Sequence, residues 1–254
     1  MGTSSAARPL GLRRTNIAIR QERDEKEIFQ TFLSDSTPRS NIIDLAFASP
    51  GVITALLKVF EIAEMARRVG PSRFIDDLAK LEKVEASLPG ILNGMSKSTM
   101  DLVSLAATPS LQDEIARRAL LVAVSHILQG KDKDINLSRS QLERNVEAAI
   151  TDLGPAGLVS FFLGDYLSGL ALFLTLGRQS ERLGLTRESA LLDRKREIET
   201  GFQNQSNRVA RSVVNQLYPK LGKIDPRKMD EIERLAREIK QLLSKESLSK
   251  EESR

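Results

Sequence analysis

Apolar residues recur every three or four positions along much of this 254-residue chain, which is the spacing of one face of an α-helix. The clearest early helix is predicted to begin after Ser49, a capping residue that is followed by a proline. Its apolar stripe is Val52, Leu56, Val59, Ala63 and Ala66. Gly70 ends this helix, and Ser72 begins a second one that closes at Pro89-Gly90. The second stripe is Phe74, Leu78, Leu81 and Val84.

A stronger helix is predicted to open at Thr108-Pro109. Its apolar stripe is Leu111, Ile115, Ala119, Ala123 and Ile127. The exposed side is predicted to carry two ion pairs at i,i+4, Asp113 with Arg117 and Glu114 with Arg118. Acid before base in such a pair is the more favourable orientation on a helix.

The helical period continues to the end of the chain. Ser138 and Gln141 form a capping box for a helix through Leu153, a long basic helix is expected from Glu188 to Leu217, and Asp225-Pro226 caps a last helix. No segment shows an alternation of apolar and polar residues long enough to predict the strands of a sheet. We therefore predict an all-α fold, a single multi-helix domain resembling a bundle.

The same pattern predicts how the chain is divided. Residues 1–38 lack a sustained period apart from a short helix over Glu22 to Phe32, so they are interpreted as a flexible N-terminal arm. Residues 39–220 form the helical domain, and residues 225–244 form a C-terminal amphipathic helix. The mixed charges from 245 to 254 predict a disordered tail.

The inventory of catalytic groups is thin. The chain has no cysteine, which excludes a disulfide or a thiolate metal site and fits a reducing cytoplasm. His126 is the only histidine, so no histidine pair can bind a metal, and a structural role for it is favoured. "GILNGMSKS" lacks the glycine spacing and the preceding strand of a phosphate-binding loop. We predict a protein that is not an enzyme and needs no cofactor or metal.

The segment from Ala156 to Gly177 is apolar and long enough to cross a bilayer. Its one charge, Asp165, lies near the middle, where insertion would cost roughly 3 kcal/mol. We therefore interpret it as a buried central helix, so that membrane binding is not expected. A membrane-acting effector is the less favoured alternative.

The net charge of +4 is unevenly distributed. The segment from Asp193 to Lys228 carries nine Lys or Arg against four Asp or Glu, and the first 26 residues are also basic. Arg194, Lys195 and Arg196 are the candidate phosphate contacts of an adaptor or scaffold that binds nucleic acid. The alternative interpretation of such a segment is a solvated helix face.

The last helix is a candidate partner-binding element. Its apolar residues follow a 3-4-3-4 spacing that covers two heptads. Candidate contacts are Met229, Ile232, Leu235, Ile239 and Leu242. The stripe can dock on its own domain or on a partner, and docking on its own domain is favoured.

The opening "MGTSSAARPLGLRR" contains too little apolar surface to order itself. Residues Met1 to Ala7 have the composition of a cloning remnant or of a disordered terminus. A third interpretation is that the Gly2 amine, exposed once Met1 is removed, is itself the functional group. Thr3, Ser4 and Ser5 would then be the recognition tail that threads into an enzyme.

A resemblance to a known family supports the third interpretation, in which the Gly2 amine is functional. The helix "LQDEIARRALLVAVSHILQG" from Leu111 to Gly130, the helix that begins at Ser138 and the start "MGTSS" resemble QatB-like proteins of bacterial anti-phage Qat operons. The resemblance implies a non-enzymatic defence component whose operon partners are an ATPase, a QueC-like enzyme and a TatD-like nuclease. It also implies that the QueC-like enzyme attaches a 7-deazaguanine base to Gly2. The Gly- and Pro-rich segment of the family is reduced here to "RPLGLRR".

The chemistry of the terminus is compatible with that role. An α-amine has a pKa of about 7.7 to 8.0, so an appreciable fraction is neutral and nucleophilic near pH 7.5. N-myristoylation is the rival use of a second-position glycine, but its pattern needs Ser or Thr at the position that Ala6 occupies.

Overall fold

Helices account for the regular structure of the chain. The computed structural model describes residues 12–21, 23–35, 41–103, 110–130, 134–175 and 188–248. Within these ranges there is no β-strand, so the all-α prediction is confirmed. The described helices are α1 (Arg13–Arg20), α2 (Glu25–Ser34), α3 (Ile42–Ala46), α4 (Pro50–Val69), α5 (Pro71–Glu82), α6 (Leu88–Val103), α7 (Leu111–Gln129), α8 (Arg139–Asp152), α9 (Gly154–Thr175), α10 (Glu188–Leu221) and α11 (Met229–Leu248).

The helix α9 lies at the centre of the fold and packs against α4, α7, α8 and α10. A helix that is apolar on most of its faces is stable in water only where other helices surround it. Among its fully buried residues are Phe162 and Tyr166, and the Tyr166 hydroxyl donates a hydrogen bond to the carbonyl of Ala46. The central position of α9 agrees with its interpretation as a buried helix.

Two of the predicted helix starts are confirmed. The Ser49 hydroxyl accepts a hydrogen bond from the N–H of Gly51 at 3.2 Å, and Ser138 and Gln141 form the capping box of α8. A second capping box is not predicted by the sequence pattern. It joins Ser110 and Asp113 at the start of α7.

This capping box overturns the predicted ion pairs of α7. Asp113 is buried and accepts hydrogen bonds from Ser110, so it is not on the exposed side with Arg117. Arg117 instead pairs with Glu114 at 2.6 Å, an i,i+3 contact in place of the predicted Glu114–Arg118 pair.

The prediction for residues 72–90 was wrong in its second half. The helix α5 ends at Glu82, and Lys83 follows in the left-handed conformation with φ 55°. Pro89 lies in the first turn of α6, where its missing N–H breaks no helical hydrogen bond. Leu81, predicted to be buried, is 54% exposed because α5 stops one residue later.

The prediction of a flexible arm is wrong for residues 12–21 and 23–35. They form α1 and α2, and α2 buries Ile28, Phe29, Phe32 and Leu33 in the main core. The rings of Phe29 and Phe32 lie 5.8 and 6.1 Å from the ring of Phe202 on α10. Four large apolar residues in ten positions stabilise this short helix by contact with the core. Residues 1–11 and 36–38 lie outside the described ranges.

The last helix packs on the rest of the domain, which is the favoured alternative for its apolar stripe. The helix α10 continues to Leu221, and α11 packs against α2, α3, α4 and α10 with its apolar residues in the same core. The amine of Lys220 donates to a Glu238 carboxylate oxygen at 2.7 Å, and the Ser212 hydroxyl donates to Glu246. The two helices therefore form one antiparallel hairpin, and α11 is not a separate unit.

Candidate functional site

The first helix that the structure describes is anchored in the core. Gly2, Thr3, Ser4 and Ser5 are outside the described residues, which begin at Leu12. Leu12 is only 3% exposed, so the chain enters the core at this position.

A buried carboxylate fixes α1 just after that entry. One Asp35 carboxylate oxygen accepts the backbone N–H of Thr15 at 2.9 Å and the Thr15 hydroxyl at 2.8 Å. The Asp35 carbonyl accepts the N–H of Ile42 at 3.1 Å, which links the same residue to α3. Because hydrogen bonds to a buried charged group are stronger than neutral ones, α1 is held to the body at its N-terminal turn.

This anchor limits where the Gly2 amine can reach. Ten residues, from Gly2 to Gly11, separate the amine from Leu12. A fully extended segment of that length spans at most about 35 Å. The sequence did not reveal the anchor, because Thr15 and Asp35 are distant in the chain and neither belongs to an apolar stripe.

His126 has the surroundings of a packing residue. Its ring stacks on the ring of Phe161, with centroids 4.5 Å apart and an angle of 13° between the planes. Burial lowers the pKa of the imidazole. Loss of hydration disfavours the protonated ring, in agreement with a structural role for His126.

The buried Asp113 is also committed to structure. It accepts hydrogen bonds from the hydroxyls of Ser49 and Ser110 and from the Ser110 N–H, which joins the starts of α4 and α7. A Cβ at Gly51 would collide with this carboxylate. Across the described ranges, no group of three or more His, Asp or Glu side chains could hold a metal ion.

A shallow surface groove between α5 and α8 contains a further charged cluster that the sequence analysis missed. Ser72, Ser140, Glu143 and Arg144 are among its lining residues. At its edge, the Arg139 guanidinium contacts Asp76 at 2.7 Å and Glu143 at 2.9 Å. Hydrogen bonds from Arg139 lower the pKa of the Asp76 and Glu143 carboxyl groups, so the cluster stays ionised and bridges the two helices.

The helix α9 passes the length and composition test for crossing a membrane, and 61% of its most apolar stretch is buried within the fold. Burial also raises the pKa of its one carboxyl group, Asp165, while the neighbouring Arg118 acts in the opposite direction. The burial of the Asp165 carboxyl group and the nearby charge of Arg118 fit a helix in a protein interior.

The structure describes only part of the predicted basic site. The backbones of Arg194, Lys195 and Arg196 lie in α10, but the side chains of Arg194 and Lys195 are outside the described part of the structure. Arg196 is exposed. Arg208 and Arg211, which the sequence analysis did not single out, are also exposed on α10.

The predicted partner-binding stripe on α11 is mostly inside the protein. Ile232, Leu235 and Ile239 are buried in the core, and Leu242 is half-buried against it. Met229 is 47% exposed, because it is the first residue of the helix. For the three buried residues the structure agrees with the favoured alternative, docking on the chain's own domain, since α2, α3 and α4 pack against α11.

No family model, curated protein or solved structure matches this chain. The candidate functions therefore depend on the residues themselves and on the resemblance described for the sequence.

Proposed function

We propose that the protein is a non-enzymatic component of a bacterial anti-phage system, and that its N-terminal Gly2 amine is the acceptor for a QueC-like enzyme. The enzyme would activate the carboxylate of a 7-deazaguanine derivative by attack on the α-phosphorus of ATP, which forms an adenylate and releases pyrophosphate. The neutral amine attacks the carbonyl carbon, AMP leaves, and the amine gives up a proton to solvent as the amide forms. The ATPase and the nuclease of such operons are the further proposed partners.

The observation that carries the proposal is the anchor at Leu12 and Thr15. A substrate tail must be free enough to enter an active site and attached firmly enough to present the modified group to the rest of the protein. The buried Asp35–Thr15 contact supplies the attachment, and the residues from Gly2 to Ala7 have side chains that do not obstruct a narrow pocket.

The remaining polar groups support a binding role over catalysis. His126 is stacked on an aromatic ring, and Asp35 and Asp113 are buried as hydrogen-bond acceptors between helices. Groups used in this way hold the fold together.

A membrane-acting role has less support. Releasing α9 would break its contacts with α4, α7 and α10 and expose most of the core. The cytoplasmic location that we propose follows from the defence role and from the absence of cysteine in the sequence.

Phage protection tests the proposed function. Gly2→Ala keeps Met1 removal but adds a methyl group beside the attacking nitrogen, so we expect protection by the complete operon to fall while the protein level is unchanged. Gly222→Ala is the matched control, because its added Cβ would meet only Phe60 at 3.4 Å, an ordinary contact distance. Equal protection by the two variants would count against the proposal.

A further inference from the structure

The outer face of α10 is polar and cationic from Asn204 to Asn215 and continues to the exposed Glu197 near the start of the helix. Asn204, Arg208, Arg211 and Asn215 are all exposed and follow the i, i+4, i+7, i+11 spacing of one helix face. The opposite face is buried through Val209, Val213 and Leu217. The sequence contains no Asp or Glu between Glu199 and Asp225, so the stretch of this face from Asn204 to Asn215 carries guanidinium and amide groups without a carboxylate.

The helix α11 adds cations beside this face. The Lys220–Glu238 and Ser212–Glu246 contacts fix the antiparallel register of the hairpin. In this register Lys245, which is exposed, lies level with Val213 and therefore within about one turn of Arg211. Arg234 and Arg237 are exposed one to two turns after the start of α11 and extend the cationic surface toward the hairpin turn.

Three cations at the centre of this surface lack an ion-pair partner among the described residues. Arg208, Arg211 and Lys245 have no ion pair within the described part of the chain. Glu238 and Glu246, the acids nearest to them in the hairpin register, are engaged by Lys220 and Ser212. Residues 204–248 contain ten Lys or Arg against six Asp or Glu, so the hairpin carries a net positive charge.

The side chains of this surface indicate which kind of negatively charged partner it can bind: a membrane, an acidic protein or a nucleic acid. A helix that binds a membrane surface needs an apolar face to embed, but the one large exposed apolar residue of the described hairpin is Met229, at the start of α11. An acidic protein partner needs apolar anchors at the centre of its interface, and the exposed face of α10 offers none.

A single nucleic-acid strand needs exposed aromatic rings on which its bases stack. In the described hairpin, Phe202 is buried, and Tyr218 packs on Phe60 while its hydroxyl donates to Glu64. A duplex presents phosphates without exposed bases, and guanidinium groups bind phosphate oxygens in pairs. Side-chain amides such as those of Asn204 and Asn215 donate to the same oxygens.

We propose that the outer face of the α10–α11 hairpin, centred on Arg208 and Arg211, binds the phosphate backbone of a nucleic-acid duplex with little sequence preference. From Asn204 to Asn215 the face extends eleven helical steps, or about 16 Å, enough to follow phosphates across one groove of a duplex. This activity is independent of Gly2 and is placed further along α10 than Arg194, Lys195 and Arg196.

Fluorescence anisotropy with a labelled 20-bp DNA duplex at about 50 mM salt tests the surface. Arg208→Glu combined with Arg211→Glu should weaken binding at least tenfold, and the salt dependence of log K should become shallower by about 2, as expected when two phosphate contacts are lost. Arg208→Gln with Arg211→Gln should have a smaller effect in the same direction. Circular dichroism should show the same helix content in all variants, because both side chains are exposed.

The matched control is Lys80→Glu with Lys97→Glu, which makes the same change in net charge at exposed positions on α5 and α6. This control should bind the duplex within about twofold of the unmodified protein, since salt screens distant charges. An RNA duplex used in parallel tells which duplex is preferred.

Three results would overturn the proposal. One is no binding of the unmodified protein to either duplex at low salt. Another is equal weakening by the α10 variant and by the control, which would indicate attraction by net charge alone. The third is tighter binding to a single strand or to anionic phosphatidylserine vesicles than to a duplex.

Discussion

The carboxylate of Asp35 and both donors of Thr15 meet in the interior of the protein, twenty residues apart in sequence, at 2.9 and 2.8 Å. This contact makes α1 part of the folded body. Leu12, the first described residue, is buried in the same core.

Thr15→Val should destabilise the protein by about 1–3 kcal/mol, because it keeps the shape of the side chain but removes a donor to a buried carboxylate. Urea unfolding measures the change. Thr31→Val is the control, since the Thr31 hydroxyl donates only to a carbonyl in its own helix, Glu27, and its loss should cost less than about 1 kcal/mol. Equal losses for the two variants would mean that the Asp35 contact does not hold α1.

Gly164→Ala should destabilise the packing of α9 against α10. A Cβ at this position would collide with the Asn207 side chain and lie 3.1 Å from the Asn207 Cα, so the two helices must move apart. We expect a loss of about 1–3 kcal/mol in the free energy of unfolding, as for other overpacked sites. Gly222→Ala, with 3.4 Å to Phe60, should have little effect in the same denaturation experiment.

Asp165 should make stability depend on pH in an unusual direction. Burial raises the pKa of its carboxyl group in the folded protein, so the folded state binds the proton more tightly than the unfolded state. The contribution of this group to stability is therefore favourable at low pH and is lost as the pH rises through the folded-state pKa. Asp165→Asn should be more stable than the unmodified protein at pH 7, and the difference should shrink as the pH falls toward 4.

Arg118 provides the control for that titration, because its charge favours the ionised form of Asp165. Arg118→Gln should lower the urea midpoint at pH 7 in the unmodified protein but not in the Asp165→Asn background. An Asp165→Asn variant that is less stable at every pH would show that the carboxylate makes a needed contact.

Substitutions on α11 distinguish docking on the core from partner binding. Ile239→Asp places an unpaired charge in the core and should lower stability by more than about 4 kcal/mol, whereas Met229→Asp at an exposed position should change it by less than about 0.5 kcal/mol. Thermal unfolding compares the two. A well-folded Ile239→Asp protein would indicate that the stripe is free for a partner.

The sequence predicted those helices whose apolar stripe and cap agree. Ser49 and Ser138 cap the helices that follow them, and the stripe of α7 from Ala119 to Ile127 is buried as expected. In these helices local preference and tertiary packing require the same residues. The sequence pattern alone is therefore sufficient to predict them.

The sequence-based predictions fail where a contact between residues distant in the chain determines the local structure. Gly90, Asn93 and Gly94 favour a loop, yet they lie in α6, where a Cβ at Gly94 would approach the Glu82 Cβ to 2.8 Å. The small residue is needed there by the neighbouring segment and not by a turn. Asp113 looks like a surface acid because its partner, Ser49, is 64 residues away.

The same distinction between local pattern and tertiary position applies to the candidate basic sites. Arg194 and Arg196 belong to a run of charges in the sequence. Arg208 and Arg211 share a helix face that can be recognised only when the buried side of α10 is known. Position on a face, which the sequence suggests only weakly, decides which cations reach solvent together.

The central claim, that Gly2 is an acceptor, is tested most directly by the mass of the N-terminal peptide after co-expression with an active QueC-like enzyme from the same operon. The account predicts a peptide that lacks Met1 and carries one 7-deazaguanine carbonyl group on the Gly2 nitrogen, with no adduct in the Gly2→Ala protein. A peptide that begins with an unmodified Gly2 under these conditions would contradict it.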